Sequence, residues 1–261
     1  MENVTLKLLQ AMKARGEKIA CLTAYDASFA ALLDQAGIDV ILVGDSLGMV
    51  VQGHTSTVSV TMDDMIYHSQ CVSSAVEHSL VISDMPFMTY TNVEQALANA
   101  TDLIQIGGAQ MVKLEASARQ VSIVHELSEC GVPVCAHLGL RPQYVHKLGG
   151  YFMQGASEES AEELFSNAMS LQAAGADMLL LECIPGSLAR KITHHCAIPV
   201  IGIGAGPECD GQILVLHDVL GVTRGITPKF AKNFLAVAKD IPAAVAAYVD
   251  AVKSSSFPAD A

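Results

Sequence analysis

The chain has 261 residues, 51% hydrophobic and 16% charged, enough to bury a sizeable core in one large domain or two small ones. Its net charge of -12 argues against nucleic acid or an anionic membrane as partner, because both reward an excess of Lys and Arg. No apolar run reaches membrane-spanning length and Met1-Glu2-Asn3 lacks the basic and apolar regions of a secretory signal, so a cytoplasmic protein is expected.

Thr5 can cap a short helix through Met12, ended by Arg15-Gly16, that covers one end of the core. From there one pattern repeats: a short apolar run, a polar or glycine-containing turn, and a longer stretch of helical period. The runs fall at 19–23, 40–43, 80–82, 111–114, 132–136, 178–181, 199–203 and 213–216. Helical stretches lie at 25–35, 61–78, 92–106, 158–174 and 228–252, several closed by glycine signals such as Gly37, Gly107-Gly108, Gly131 and Gly175. The runs are almost continuously aliphatic, as parallel strands buried on both faces tend to be. Eight of them match a (β/α)8 barrel, with an open doubly wound sheet as the rival. No linker interrupts the series, so a single domain over 1–261 is expected, with 254–261 as a flexible tail.

Two connections exceed what a scaffold needs, 44–60 and 137–157, and long ordered loops in compact domains are usually functional. Gly149-Gly150 and Gly155 are candidate hinges in the second. The seven cysteines form no C-x-x-C pair and no zinc spacing, so they read as reduced, packed residues. Cys183, after an aliphatic run, reads as a packed residue too, with a reactive role as the alternative.

Polar residues follow most of the runs. Asp26 follows the first, Asp45 and Ser46 the second, and Asp84 the third; the fourth carries Lys113 and Glu115, the fifth His137 and the sixth Glu182. In a parallel barrel these ends share one rim, where such enzymes place their chemistry. Lys113 and Glu115 are two apart on a strand and therefore face one side. Converging carboxylates would repel and take up protons unless a divalent cation and a lysine compensated them, and an oxygen-only set suits Mg2+ or Mn2+. Asp26 precedes Ala27-Ser28-Phe29 and is better read as a helix cap. Asp84 comes too early to cap the next helix, and Ser46-Leu47-Gly48 after Asp45 does not read as helical, which favours ligand roles for both aspartates. His137 stands between a wall residue and a site residue, and His194-His195 read as part of an outer helix. The "GIGAG" stretch at 202–206 suits either a phosphate-cradling turn or close backbone approach, and no G-x-G-x-x-G is present.

The motifs "TAYD", "VGDSLGMVVQG", "DMPF", "MVKLE", "VCAHLGL", "LLLEC", "IPVIGIGAG", "DGQILV.HD" and "PKFAKNF", in that order from Thr23 to Phe234, resemble the ketopantoate hydroxymethyltransferase family. The resemblance implies a (β/α)8 TIM barrel of the phosphoenolpyruvate/pyruvate type. It also implies transfer of a hydroxymethyl group from 5,10-methylenetetrahydrofolate to 3-methyl-2-oxobutanoate, giving 2-dehydropantoate for pantothenate biosynthesis. Carried over by motif, the family's Mg2+ ligands fall on Asp45, Asp84 and Glu115, its ketoacid contacts on Asp45, Ser46, Asp84 and Lys113, and its proton acceptor on Glu182. A large homo-oligomer, a decamer among the options, is implied as well. Ser74-Ala75 stands where the family commonly has Arg-Gly, so a glycine helix stop and a positive charge are missing, and Arg141 and His146 are local variants in the long loop.

Overall fold

The computed structural model of the chain describes residues 3–225 and 227–259; Met1 and Glu2 of the signal reading, Ile226, and Asp260 and Ala261 of the expected tail lie outside them. Eight parallel strands pair in chain order and close into a barrel: β1 Ile19–Thr23, β2 Val40–Val43, β3 Leu80–Asp84, β4 Met111–Glu115, β5 Val134–Gly139, β6 Met178–Glu182, β7 Val200–Ile203 and β8 Gly211–Leu214. The helices are α1 Leu6–Arg15, α2 Ala27–Gln35, α3 Leu47–Val50, α4 Met62–Ser73, α5 Val93–Gln105, α6 Val121–Glu129, α7 Val145–Leu148, α8 Glu158–Ala173, α9 Gly186–His195, α10 Leu216–Val219 and α11 Ile241–Lys253. None of them is long and apolar enough to cross a membrane.

The period-2 alternation of the strands sorts the core into two layers. Cys21, Leu42, Ile82, Met111, Cys135 and Leu180 fill the barrel interior. Their strand neighbours Leu22, Ile41, Val81, Val112, Ala136 and Leu181 lie in the layer under the helices. Two-residue steps from the inward positions lead from Ile82 to Asp84, from Met111 to Lys113 and Glu115, from Cys135 to His137, and from Leu180 to Glu182. The parity that buries the core therefore aims the rim residues inward. At the opposite end α1 closes the barrel. Thr5 caps it by accepting from Leu8 N–H, Gly16 ends it at φ 70°, and Leu9 and Met12 join the interior cluster, each burial worth about 1.5–3 kcal/mol.

Several boundaries differ from expectation. Helix α4 stops at Ser73 instead of reaching residue 78, because the Asp34 carboxylate on α2 accepts the backbone N–H groups of Glu77, His78 and Ser79 and holds that stretch as a turn. That clamp does the work of the missing glycine stop. Residues 228–240 are not helical. α11 begins at Ile241 with Asp240 as its cap, while Phe234 N–H is bonded to the Val219 carbonyl and Phe234 is buried. The turn after β2 is partly helical after all: α3 begins at Leu47, and its Leu47, Gly48 and Met49 N–H groups bond back to the Gly44, Asp45 and Ser46 carbonyls. The expected tail is tied down as far as Phe257, which packs edge-on against Phe234 and Tyr248.

Candidate active site

β2 turns at Gly44 into Asp45 and Ser46. A Cβ at Gly44 would lie 2.9 Å from Ser46 Oγ and 3.4 Å from Asp84 Oδ2, so glycine leaves the room in which these groups meet. Asp84 Oδ2 accepts the Asp45 N–H at 3.0 Å, and Asp84 Oδ1 lies 2.6 Å from Lys113 Nζ. Ser46 Oγ shares a hydrogen bond of 2.8 Å with Tyr25 Oη. Lys113 Nζ reaches His137 Nδ1 at 3.4 Å, and His137 Nε2 lies 3.2 Å from Glu182 Oε2, off line for a full hydrogen bond. Asp45, Asp84, Lys113, His137 and Glu182 thus form one chain of contacts, with Ser46 next to Asp45 in sequence and Glu115 joined to Asp45 through Gln143.

The electrostatics follow from burial and from who faces whom. Lys113 is the one lysine or arginine buried among the described residues, set among Asp45, Asp84, Glu115 and Glu182. Burial would lower its pKa, but the Asp84 and Asp45 charges outweigh that and hold it above the usual value. Burial and the Asp84 charge push Asp45 up to about 7, against the pull of Lys113 and Gln143. Glu115 is pushed well above the carboxylate range by burial and by Asp45. Burial lifts Glu182 to about 7, with Lys113 opposing. Burial and Lys113 press His137 far below its ordinary value, so it is neutral. Since the lysine can only donate, His137 Nδ1 is the acceptor and its proton sits on Nε2, toward Glu182.

The pocket is short of positive charge. Glu115 Oε2 is buried without a hydrogen-bond partner among the described residues, and the surroundings of Asp45 and Glu182 raise both carboxyl groups to about 7. No group of three or more His, Cys, Asp or Glu side chains among the described residues is gathered to hold a metal ion unaided. The donor set fits a hard cation of the Mg2+ kind, which commonly uses one or two carboxylates and takes its remaining ligands from substrate oxygens and water.

Asp26 caps α2, accepting from Phe29 N–H at 3.0 Å, and His194-His195 end the outer helix α9. In the 202–206 stretch a Cβ at Gly202 would meet Cys209 Sγ at 2.9 Å and Gly204, at φ 60°, lies against the Phe230 ring, so the glycines serve close approach. Gly149, Gly150 and Gly155 all take positive φ, and Tyr151 Oη touches Met49 Sδ at 3.8 Å, so the two long connections meet beside the rim. Arg141 stacks on the Tyr144 ring at 4.1 Å. Three pocket neighbours escaped the sequence reading: Tyr25, Tyr90 and Gln143. Tyr25 carried a weak signal, lying two residues beyond Thr23, where the first run ends.

The family described as ketopantoate hydroxymethyltransferase matches residues 3–260. A 3-methyl-2-oxobutanoate hydroxymethyltransferase of Alkalilimnicola ehrlichii is 58% identical over 98% of this chain and 92% of its own length; that of Nitrosococcus oceani is 57% identical over 99% and 98%. Among solved structures, phosphonopyruvate hydrolase in complex with oxalate and Mg++ superposes with a TM-score of 0.64 at 13% identity, covering 83% of this chain and 82% of that one. 2,3-Dimethylmalate lyase, a PEP mutase/isocitrate lyase superfamily member, gives 0.58 at 15% identity over 82% and 81%. At such identities these two speak for the barrel alone. The match over nearly the whole chain and the identity to the curated relatives establish that the protein belongs to the ketopantoate hydroxymethyltransferase family, a family of hydroxymethyl-transferring enzymes.

Proposed function

We propose that the protein transfers a hydroxymethyl group from 5,10-methylenetetrahydrofolate to 3-methyl-2-oxobutanoate, giving 2-dehydropantoate. The observation that carries this reading is the pairing of a carboxylate tuned to about 7, Glu182, with an acidic, lysine-bearing pocket across the same rim. A general base is most effective when its pKa lies near the working pH. In this reading Glu182 takes the proton from the carbon next to the ketone. Neutral His137, with its Nε2 proton toward Glu182 Oε2, steadies the carboxylate without neutralising it.

The ketoacid is an anion, and Lys113 has donors beyond the one aimed at Asp84. It meets the developing negative charge, while the Ser46 hydroxyl, held by Tyr25, fixes orientation. Asp45 and Asp84, with Glu115 behind them, would hold Mg2+. When bound, that cation polarises the ketone, a Lewis-acid effect worth several kcal/mol. The carbanionic carbon then forms a bond to the folate methylene carbon and a water supplies the hydroxyl, while the methylene's two bonds to the folate nitrogens break and the nitrogens take one proton from that water and one removed from the ketoacid, so that tetrahydrofolate leaves. The fold leaves a lyase or mutase reaction on a related 2-oxo acid as the rival.

Proton NMR in heavy water tests the base. The protein with Mg2+ and 3-methyl-2-oxobutanoate, without folate, exchanges the proton next to the ketone for deuterium. Glu182→Gln binds the ketoacid but loses the exchange by roughly a hundred- to ten-thousand-fold, the usual weight of a general base. Exchange at the normal rate in a folded Glu182→Gln protein would assign the proton to another group. Failure of the wild type to form 2-dehydropantoate from the two substrates would turn the reading toward the rival.

A further inference from the structure

Gln143 sits in the short turn Pro142–Tyr144 after β5, 4% exposed, and its polar atoms reach three other parts of the rim. Its backbone N–H donates to Glu115 Oε1 at 3.0 Å. Its side-chain Nε2 donates to Asp45 Oδ2 at 2.8 Å and to the Met85 carbonyl at 3.0 Å, and its Oε1 accepts from Tyr90 Oη. The Met85 carbonyl can only accept, so the atom beside it must be the amide nitrogen. The amide is therefore locked, with one proton on the carbonyl of Met85, just after β3, and the other on the carboxylate that follows β2.

We infer that Gln143 is a positioning residue for the acidic pocket: it holds the Asp45 carboxylate in a fixed orientation toward the cation, and Tyr90 holds Gln143. Asp45 and Glu115 repel each other, and a neutral amide donating to one while its backbone donates to the other sets both without adding charge. The Glu115 contact comes from the backbone and survives replacement of the side chain. The contacts to Asp45, Met85 and Tyr90 do not. A residue present only to fill space would be matched by methionine, which has nearly the same shape and no donor. Partners that orient ligating carboxylates typically change metal affinity ten- to a hundredfold when removed.

The inference rests on the cation site of the proposed function, and calorimetry on the intact protein without either substrate separates the two. Mn2+ is titrated into wild type, Gln143→Met and Tyr90→Phe, with a thermal melt of each to establish folding. Gln143→Met binds Mn2+ roughly ten- to a hundredfold more weakly, and Tyr90→Phe, which keeps the amide but frees its oxygen, shows a smaller loss in the same direction. Wild-type affinity in a folded Gln143→Met protein overturns the role of Gln143 alone. If that variant does not fold, Tyr90→Phe decides, and unchanged affinity there overturns it equally. A wild-type protein that binds no divalent cation overturns the cation site together with this inference.

Discussion

Lys113 has three donors and two fixed neighbours, Asp84 at 2.6 Å and His137 at 3.4 Å. Removing it strands the Asp84 carboxylate in a buried site, a loss that typically costs about 3–5 kcal/mol. Lys113→Met should therefore melt well below the wild type without added metal, yet bind a divalent cation as tightly or more so, because one repelling charge is gone. Its dependence on the ketoacid should weaken sharply, since the anion loses its cationic partner. Melting curves and steady-state kinetics together check this, and unchanged ketoacid dependence would leave Lys113 a structural residue. Glu182 has its own signature in pH. With its pKa raised to about 7, the carboxylate form needed for proton removal is lost as pH falls through that value. The deuterium exchange should drop about tenfold per pH unit below the Glu182 pKa and level off above it, and at saturating cation that break should fall below about 7, because the added positive charge favours the carboxylate. Most of the residues that can be named from sequence lie at a strand end with inward parity, as Asp84, Lys113, Glu115 and Glu182 do, while Asp45 and Ser46 are marked by following β2 across Gly44. Gln143 and Tyr90 lie in turns, where no period marks which way a side chain points, and only the folded chain reveals them.

Elements reveal the same division. The eight strands and most helices were legible because aliphatic runs and glycine stops mark them. The misplaced ends were set by distant side chains. The end of α4 is the clearest case: nothing local stops it, and the Asp34 carboxylate, 39 positions before Ser73, does so by accepting three backbone N–H groups and the Ser79 hydroxyl. Burial would raise the Asp34 pKa, but the Ser79, His78 and Glu77 donors outweigh it and hold it at about 2. A folded-state pKa below the unfolded one adds stability that is present above about pH 4 and is lost as pH falls toward about 2. Asp34→Ala should cost roughly 2–4 kcal/mol at neutral pH, the net worth of several charge-assisted bonds partly replaced by water. Denaturant melts should also show a shallower loss of stability between about pH 4 and pH 2 than in the wild type. An equal slope in both proteins would mean that the clamp contributes nothing through its charge. The stretch 228–240 carried helical periodicity, yet there the burial of Phe234 and its bond to Val219 prevail over local propensity.

At the scale of the whole molecule, a parallel barrel gathers strand ends, and in a chain of net charge -12 the ends it gathers include Asp45, Asp84, Glu115 and Glu182 around a single lysine. That concentration acts on the stability of the fold. Asp45 and Glu182 are raised to about 7 and Glu115 is raised well above its ordinary value, each above its unfolded value. For these raised carboxylates the sign is the reverse of that for Asp34, whose pKa is lowered. The folded protein binds more protons than the unfolded chain, so the pocket's contribution is fully present below about pH 4 and is lost progressively as pH rises through about 7. A divalent cation that binds the carboxylates competes with those protons and stabilises only the folded state. The melting temperature should therefore rise little on adding Mg2+ near pH 5 and much more near pH 8, where the protons have left. At a cation concentration a hundredfold above Kd the gain is about 2.7 kcal/mol, which for a chain of this size is roughly 5–10 °C. Asp45→Asn and Asp84→Asn should shrink that shift at the higher pH, because each removes an anionic oxygen donor from the set. Thermal melts at the two pH values, with and without Mg2+, measure it directly. A shift of the same size at both, or one untouched by the aspartate substitutions, would place the cation elsewhere on the surface and leave the raised carboxylates as a store of protons.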